Sequence, residues 1–154
     1  MSNFDPTQLL DTSTDEQLDT RLTPVPEGEW TAQIKDATFR SFATKDGGTF
    51  IKCNIVWSIQ DPEVSKVTNR DENYVYQNFP VDTKGDGSEL ALDFSKGKNV
   101  RLGAVRAAIG QNKPGKKWSP RMMIGQMAKV SVKQDPNPND PESVYANVKS
   151  VGSL

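Results

Sequence analysis

A chain of 154 residues with 34% apolar side chains and a formal net charge of −1 is most simply one domain with some chain left over for tails. It has no histidine and one cysteine, Cys53, which excludes Ser–His–Asp and Cys–His nucleophilic chemistry, an intramolecular disulfide framework and the usual zinc ligand sets. No apolar run approaches membrane-spanning length and no signal-peptide pattern opens the chain, so a soluble, intracellular protein is expected.

Residues 1–26 show little periodicity. Through Glu27 the chain holds six acidic side chains (Asp5, Asp11, Asp15, Glu16, Asp19 and Glu27) against Arg21 alone, a net charge of −5. Thr23-Pro24-Val25-Pro26 reads as a stiff, extended linker. The expected division is therefore an acidic tail and linker over 1–26 and a folded domain over 27–154. A short helix from Glu16 to Leu22, capped by Asp15, is one element the tail could form. Leu9, Leu10, Leu18 and Leu22 could dock on the domain or on a partner.

The first strand starts after Gly28, with Trp30, Ala32 and Ile34 alternating with Thr31, Gln33 and Lys35. Lys45-Asp46-Gly47-Gly48 is a hairpin signal, because these residues accept positive φ. The second strand, Thr49 to Gln60, alternates most clearly. Ile51, Cys53, Ile55, Trp57 and Ile59 form a core face; Phe50, Lys52, Asn54 and Ser58 form a mixed outer face. A polar loop is expected from Asp61 to Asp71. The third strand, Asn73 to Val81, puts Tyr74, Tyr76 and Asn78 outward and Val75, Gln77 and Phe79 inward.

Asp82 to Gly87 faintly resembles a calcium loop, but Lys84 stands at a ligand position and Asp93 stands where a bidentate Glu belongs. Ser88 is placed to cap a short turn. A helix is expected from Lys98 to Ile109, with Val100, Leu102, Val105, Ala108 and Ile109 as its apolar stripe and Gly110 as its stop. The loop "NKPGKKWSPRMM" follows, carrying Lys113, Lys116, Lys117, Trp118 and Arg121. The fourth strand, Gln126 to Lys133, turns Ala128, Val130 and Val132 inward and Lys129 and Lys133 outward. The fifth runs from Val144 to Val151.

Three strands, a helix and two strands is the chain order of an OB-fold, so the expected class is mainly β: a five-stranded OB-fold barrel with one helix between strands 3 and 4. That fold leaves the outer face of strands 2 and 3 free to bind.

Charge points to a partner. From Phe94 to Gln134 there are ten basic residues and no Asp or Glu. A solvated lysine-rich surface is the plain explanation; a polyanionic partner is the favoured one. Single-stranded nucleic acid requires cations along its backbone and flat side chains under its bases. Lys35, Phe50, Lys52, Asn54, Tyr74 and Tyr76 on the sheet, with Lys113, Lys116, Lys117, Trp118, Arg121 and Lys129 in the basic segment, are the candidate nucleic-acid contacts. Each aromatic has another possible place. Trp118 could fold back as a cap on the barrel, Tyr74 and Tyr76 could line the core with the strand phase reversed, and Phe50 could pack under the tail.

The stretches "PVPEGEWTAQIKDATFR", "GGTFIKCNIVW", "YVYQNFPVD", "AVRAAIG", "MIGQMAKVSVK" and "YANVKSVG" together resemble a bacteriophage family of small OB-fold proteins. These occur with phage replication and recombination genes and are regarded as single-stranded DNA-binding proteins. The likeness covers about residues 24 to 152. Gly28, Trp30, Gly47, Gly48, Ala107, Gly110, Gly125, Asn147, Val148 and Lys149 match its motifs, which are fold-forming rather than a DNA-contact list.

The resemblance implies a non-enzymatic protein of the host cytoplasm, without cofactor or metal, that coats single-stranded DNA with little sequence preference. Replication or recombination proteins would meet the acidic tail, and exposed edge strands leave homo-oligomers open. The alternative function is a protein-interaction adaptor in a phage replication, recombination or virion complex. A carboxylate-metal nuclease is a third, without a paired-carboxylate motif to carry it.

Overall fold

In the computed structural model, which describes residues 5–18 and 22–154, the elements run α1 (Pro6–Leu10), β1 (Gly28–Ala43), β2 (Thr49–Ile59), α2 (Pro62–Thr68) and β3 (Asn73–Val81). The two-residue strands β4 (Thr83–Lys84) and β5 (Ala91–Leu92) follow, then α3 (Val100–Ala108), β6 (Met127–Asn137) and β7 (Asp140–Gly152). The protein is mainly β. Its five long strands make one closed sheet in the order β1-β2-β3-β7-β6, with β6 returning to pair with β1. Neighbours are antiparallel except β3 and β7, which run parallel and meet at one register pair, Tyr76 opposite Asn147. β4 and β5 pair with each other as a separate ribbon.

Alternation explains the core. Ala32 and Ile34, Cys53 to Ile59 at every second residue, Val75 and Phe79, Ala128, Val130 and Val132, and Val148 all point inside. Leu102 and Val105 of α3, Val64 of α2 and Met123 pack against them. Trp57 is fully buried, and its indole N–H donates to Gln77 Oε1 at 3.0 Å, so the ring is buried without stranding a donor. The expected phase of β3 holds: Tyr74 and Tyr76 are exposed and Val75 and Phe79 are core.

β1 is longer than its first alternating residues indicate, because it serves two partners. Gly28 to Gln33 pairs with β6, and Gln33 to Ala43 pairs with β2. A bulge between Ile34 and Asp36 makes Lys35 an extra residue. Even-numbered residues face inward before it and outward after it. The hairpin to β2 closes at Thr44, whose N–H donates to Gly48 O at 2.8 Å, while Gly47 takes φ +85°.

Four expectations need correction. The polar loop after Asp61 is α2. Asp61 accepts from the Glu63 N–H at 2.8 Å as N-cap, Pro62 opens the first turn, Val64 is buried, and Asn69 ends the helix at φ +58°. The tail helix is α1, capped by Asp5, which accepts from Thr7 N at 3.0 Å. Glu16 to Leu18 is not helical, and residues 19–21 of the expected helix lie outside the described residues. Packing begins before residue 27: Val25 is core, Gln134 Nε2 donates to its carbonyl at 2.9 Å, and Arg70 Nη2 donates to Thr23 O at 2.8 Å. In α3, Val100 is 71% exposed and not part of the apolar stripe.

The stretch from Asp82 to Asp93 is organised by an amide. Asn99 Oδ1 accepts from Asp82 N at 2.8 Å, and its Nδ2 donates to Asp82 O at 2.9 Å and Asp93 O at 2.8 Å. The turn near Ser88 is a single 3₁₀ turn, Gly87–Glu89. Among the described residues, no three or more carboxylates and thiols converge as metal ligands, and no helix is long and apolar enough to cross a membrane.

Candidate functional site

Residues opposite one another in an antiparallel pair share a face. On the outer side this builds rows across three strands: Arg40, Lys52 and Pro80; Thr38, Asn54 and Asn78; Asp36, Val56 and Tyr76. Phe42 lies opposite Phe50, and Tyr74 opposite Ser58. The rings of Phe42 and Phe50 stack with centroids 5.5 Å apart, and Lys52 Nζ stands 5.5 and 5.6 Å from them. Tyr74 and Tyr76 are 43% and 46% exposed.

Arg40, Phe42, Lys52, Asn54, Tyr76 and Asn78 line an open depression of about 430 Å³. Neither Arg40 nor Lys52 is ion-paired to any described residue. Asn54, in the next row, has its Oδ1 buried and without a hydrogen-bond partner among the described residues.

The other end of this face is acidic. Lys35 Nζ lies 3.4 Å from Glu72 Oε1, which also accepts from the Ser58 hydroxyl at 2.8 Å. That hydroxyl, with Lys35 adding to it against some desolvation, holds the Glu72 carboxyl below its usual range. Desolvation and then the neighbouring Glu72 carboxylate raise the Tyr74 phenol. Lys35 is thus ion-paired with Glu72 while its side chain stays half exposed.

The structure brings together Phe50, Lys52, Asn54, Tyr74 and Tyr76 on one face, while the lysines and Trp118 of the basic loop line a different depression. Trp118 is anchored there rather than carried on a flexible segment. Its indole N–H donates to Gln111 Oε1 at 2.8 Å, the Arg106 guanidinium lies 4.1 Å over the ring, and Phe94 meets it edge-on at 6.1 Å. The ring is partly buried and packs on the core.

Lys113, Lys116 and Lys117 line a depression of about 220 Å³ beside Trp118. Arg121 lines another with Asp36, Phe39 and Ile124. That lining takes residues from both sides of β1, Asp36 from the outer face and Phe39 from the other, so Arg121 stands beside the strand. Lys129 projects from β6 between Thr31 and Gly152.

Arg40 and Phe42 were not among the sequence candidates. Thr38, Arg40 and Phe42 do alternate, and that signal reads correctly only once the Lys35 bulge is known.

No protein-family model matches the chain, and no curated protein matches it, so the phage resemblance stands on its quoted motifs alone.

Proposed function

We propose that this chain is a single-stranded DNA-binding protein of phage type on an OB-fold, which coats DNA in replication or recombination without catalysis and with little sequence preference. The fold part of the reading is supported by the closed order β1-β2-β3-β7-β6, its parallel β3–β7 contact, and α3 between the third and fourth long strands in the chain.

One observation carries the functional part. The outer face of β1, β2 and β3 places the exposed rings of Phe42, Phe50 and Tyr76 beside Arg40 and Lys52, two cations without an ion pair among the described residues, with Tyr74 further along the same face. Rings receive bases of any identity, and the cations receive phosphates, so such a face binds single strands without reading sequence.

The test is an anisotropy titration of the full chain with labelled oligo-dT at several salt concentrations. Binding should weaken with salt. Tyr76→Ala and Phe42→Ala should each cost about 1–3 kcal/mol, roughly 5- to 150-fold in affinity. Absence of binding at the lowest salt would sink the reading.

A protein-interaction adaptor is the second reading, and the tail favours it. Leu9, Leu10, Leu18 and Leu22 are all exposed on the acidic segment and suit an apolar, basic partner surface. Capture from infected cells that survives nuclease and high salt would support it.

A further inference from the structure

The sheet closes weakly at one place. β1 and β6 pair along Gly28 to Gln33, whereas β3 and β7 share only Tyr76 and Asn147. Beyond that pair the strands leave a trough of about 340 Å³, walled by Gln77 to Phe79 and Val148 to Val151 and bordered by α3. Arg101 of α3 and Lys149 of β7 both line it. Both are exposed, and neither is ion-paired to a described residue. No carboxylate lines the trough or the depression on the outer face. Asn78 lines both, so the two adjoin at β3.

We propose that a single strand lying on the outer face continues across β3 at Asn78 and enters this trough, where Arg101 and Lys149 hold its phosphates. The path leads away from Glu72 and Asp36, the acidic end of the face, and toward Arg101 and Lys149. Part of the segregated positive charge thereby gains a position on the path, supplied by a helix and a strand that carry none of the stacking rings. This rests on the outer face being a single-strand site.

The test compares oligo-dT of about 5 and about 15 nucleotides, lengths within the span one OB-fold covers. Arg101→Ala/Lys149→Ala should bind the short oligonucleotide as the parent does. On the long one it should lose affinity, with the salt slope reduced by about 1.4, roughly 0.7 for each lost phosphate contact. The charge-preserving pair Arg101→Lys/Lys149→Arg should restore that slope. An unchanged slope and affinity on the long oligonucleotide would overturn the trough while leaving the face intact. If the parent protein binds neither length, the underlying reading fails instead. Loss of both lengths in the double variant, with the fold preserved by circular dichroism, would also overturn a separate trough subsite.

Discussion

Asn99 is 8% exposed and sits at φ +53°, a left-handed conformation that non-glycine side chains rarely adopt. Replacing it with alanine removes three side-chain hydrogen bonds, those with Asp82 N, Asp82 O and Asp93 O. The bond from Asn99 N to Asp82 Oδ2 at 2.8 Å is kept, because it needs only the backbone. At roughly 0.5–1.5 kcal/mol each, three bonds amount to about 1.5–4.5 kcal/mol. An alanine in the left-handed region adds about 1–2 kcal/mol. Asn99→Ala should therefore lose roughly 2.5–6.5 kcal/mol. Asn99→Gly loses the same bonds without the steric cost, so it should recover about 1 kcal/mol. The assay is equilibrium urea unfolding, with the midpoint shifted and the slope unchanged. A loss below about 1 kcal/mol in Asn99→Ala would show that the amide does not hold the β3–α3 connection. A glycine variant no better than alanine would show that the left-handed backbone at this position costs alanine little.

Burial pushes the Cys53 thiol up to about 12, so native protein should resist iodoacetamide at pH 8 and react on unfolding; rapid native labelling would contradict the packing of β2. The raised folded value means that this thiol's contribution to stability is present below its ordinary value of 9.0 and lost as pH rises toward 12. Glu72 has the opposite sign. Its depressed folded value makes its contribution present above the ordinary 4.5 and lost as pH falls through the folded value, and Glu72→Gln should flatten the acid limb of the stability profile. The same substitution releases Lys35, and oligo-dT binding should tighten with a salt slope steeper by about 0.7; weaker binding would argue against a strand crossing that end. Trp118→Phe should cost about 0.5–1.5 kcal/mol of stability through the lost Gln111 bond and change oligo-dT affinity little. Full stability with a large loss of affinity would return the ring to the DNA.

β2 and the phase of β3 were legible because both alternate without interruption, and burial on one face leaves no second register. α2 was hidden by its length. It offers a single fully buried apolar residue, Val64, and Val67 is exposed, so its signature is Asp61, Pro62 and Glu63 rather than periodicity. Arg40 and Phe42 escaped because alternation counted from Trp30 puts them on the wrong face. The charge-rich segment was plain in the sequence, but its distribution was not. Arg121, Lys129 and the lysines by Trp118 end on different surfaces because a helix, a turn and a strand turn them apart. The anchoring of Trp118 depends on Arg106 and Phe94, twelve and twenty-four residues away in the chain, and local spacing carries no record of such partners.

The bulge at Lys35 has a bearing on how this chain tolerates changes in length. Removing Lys35 would leave Ile34 followed directly by Asp36, and inward and outward positions would then alternate without a break from Ala32 to Phe42. No side chain would need to change sides. The bend itself would be lost, and the bend is what lets a single strand leave one neighbour for another while the sheet comes round on itself. A deletion here is neutral for pattern and costly for curvature. An inserted residue one turn of the pleat away would do the reverse, moving Arg40 and Phe42 into the interior and Phe39 onto the outer face.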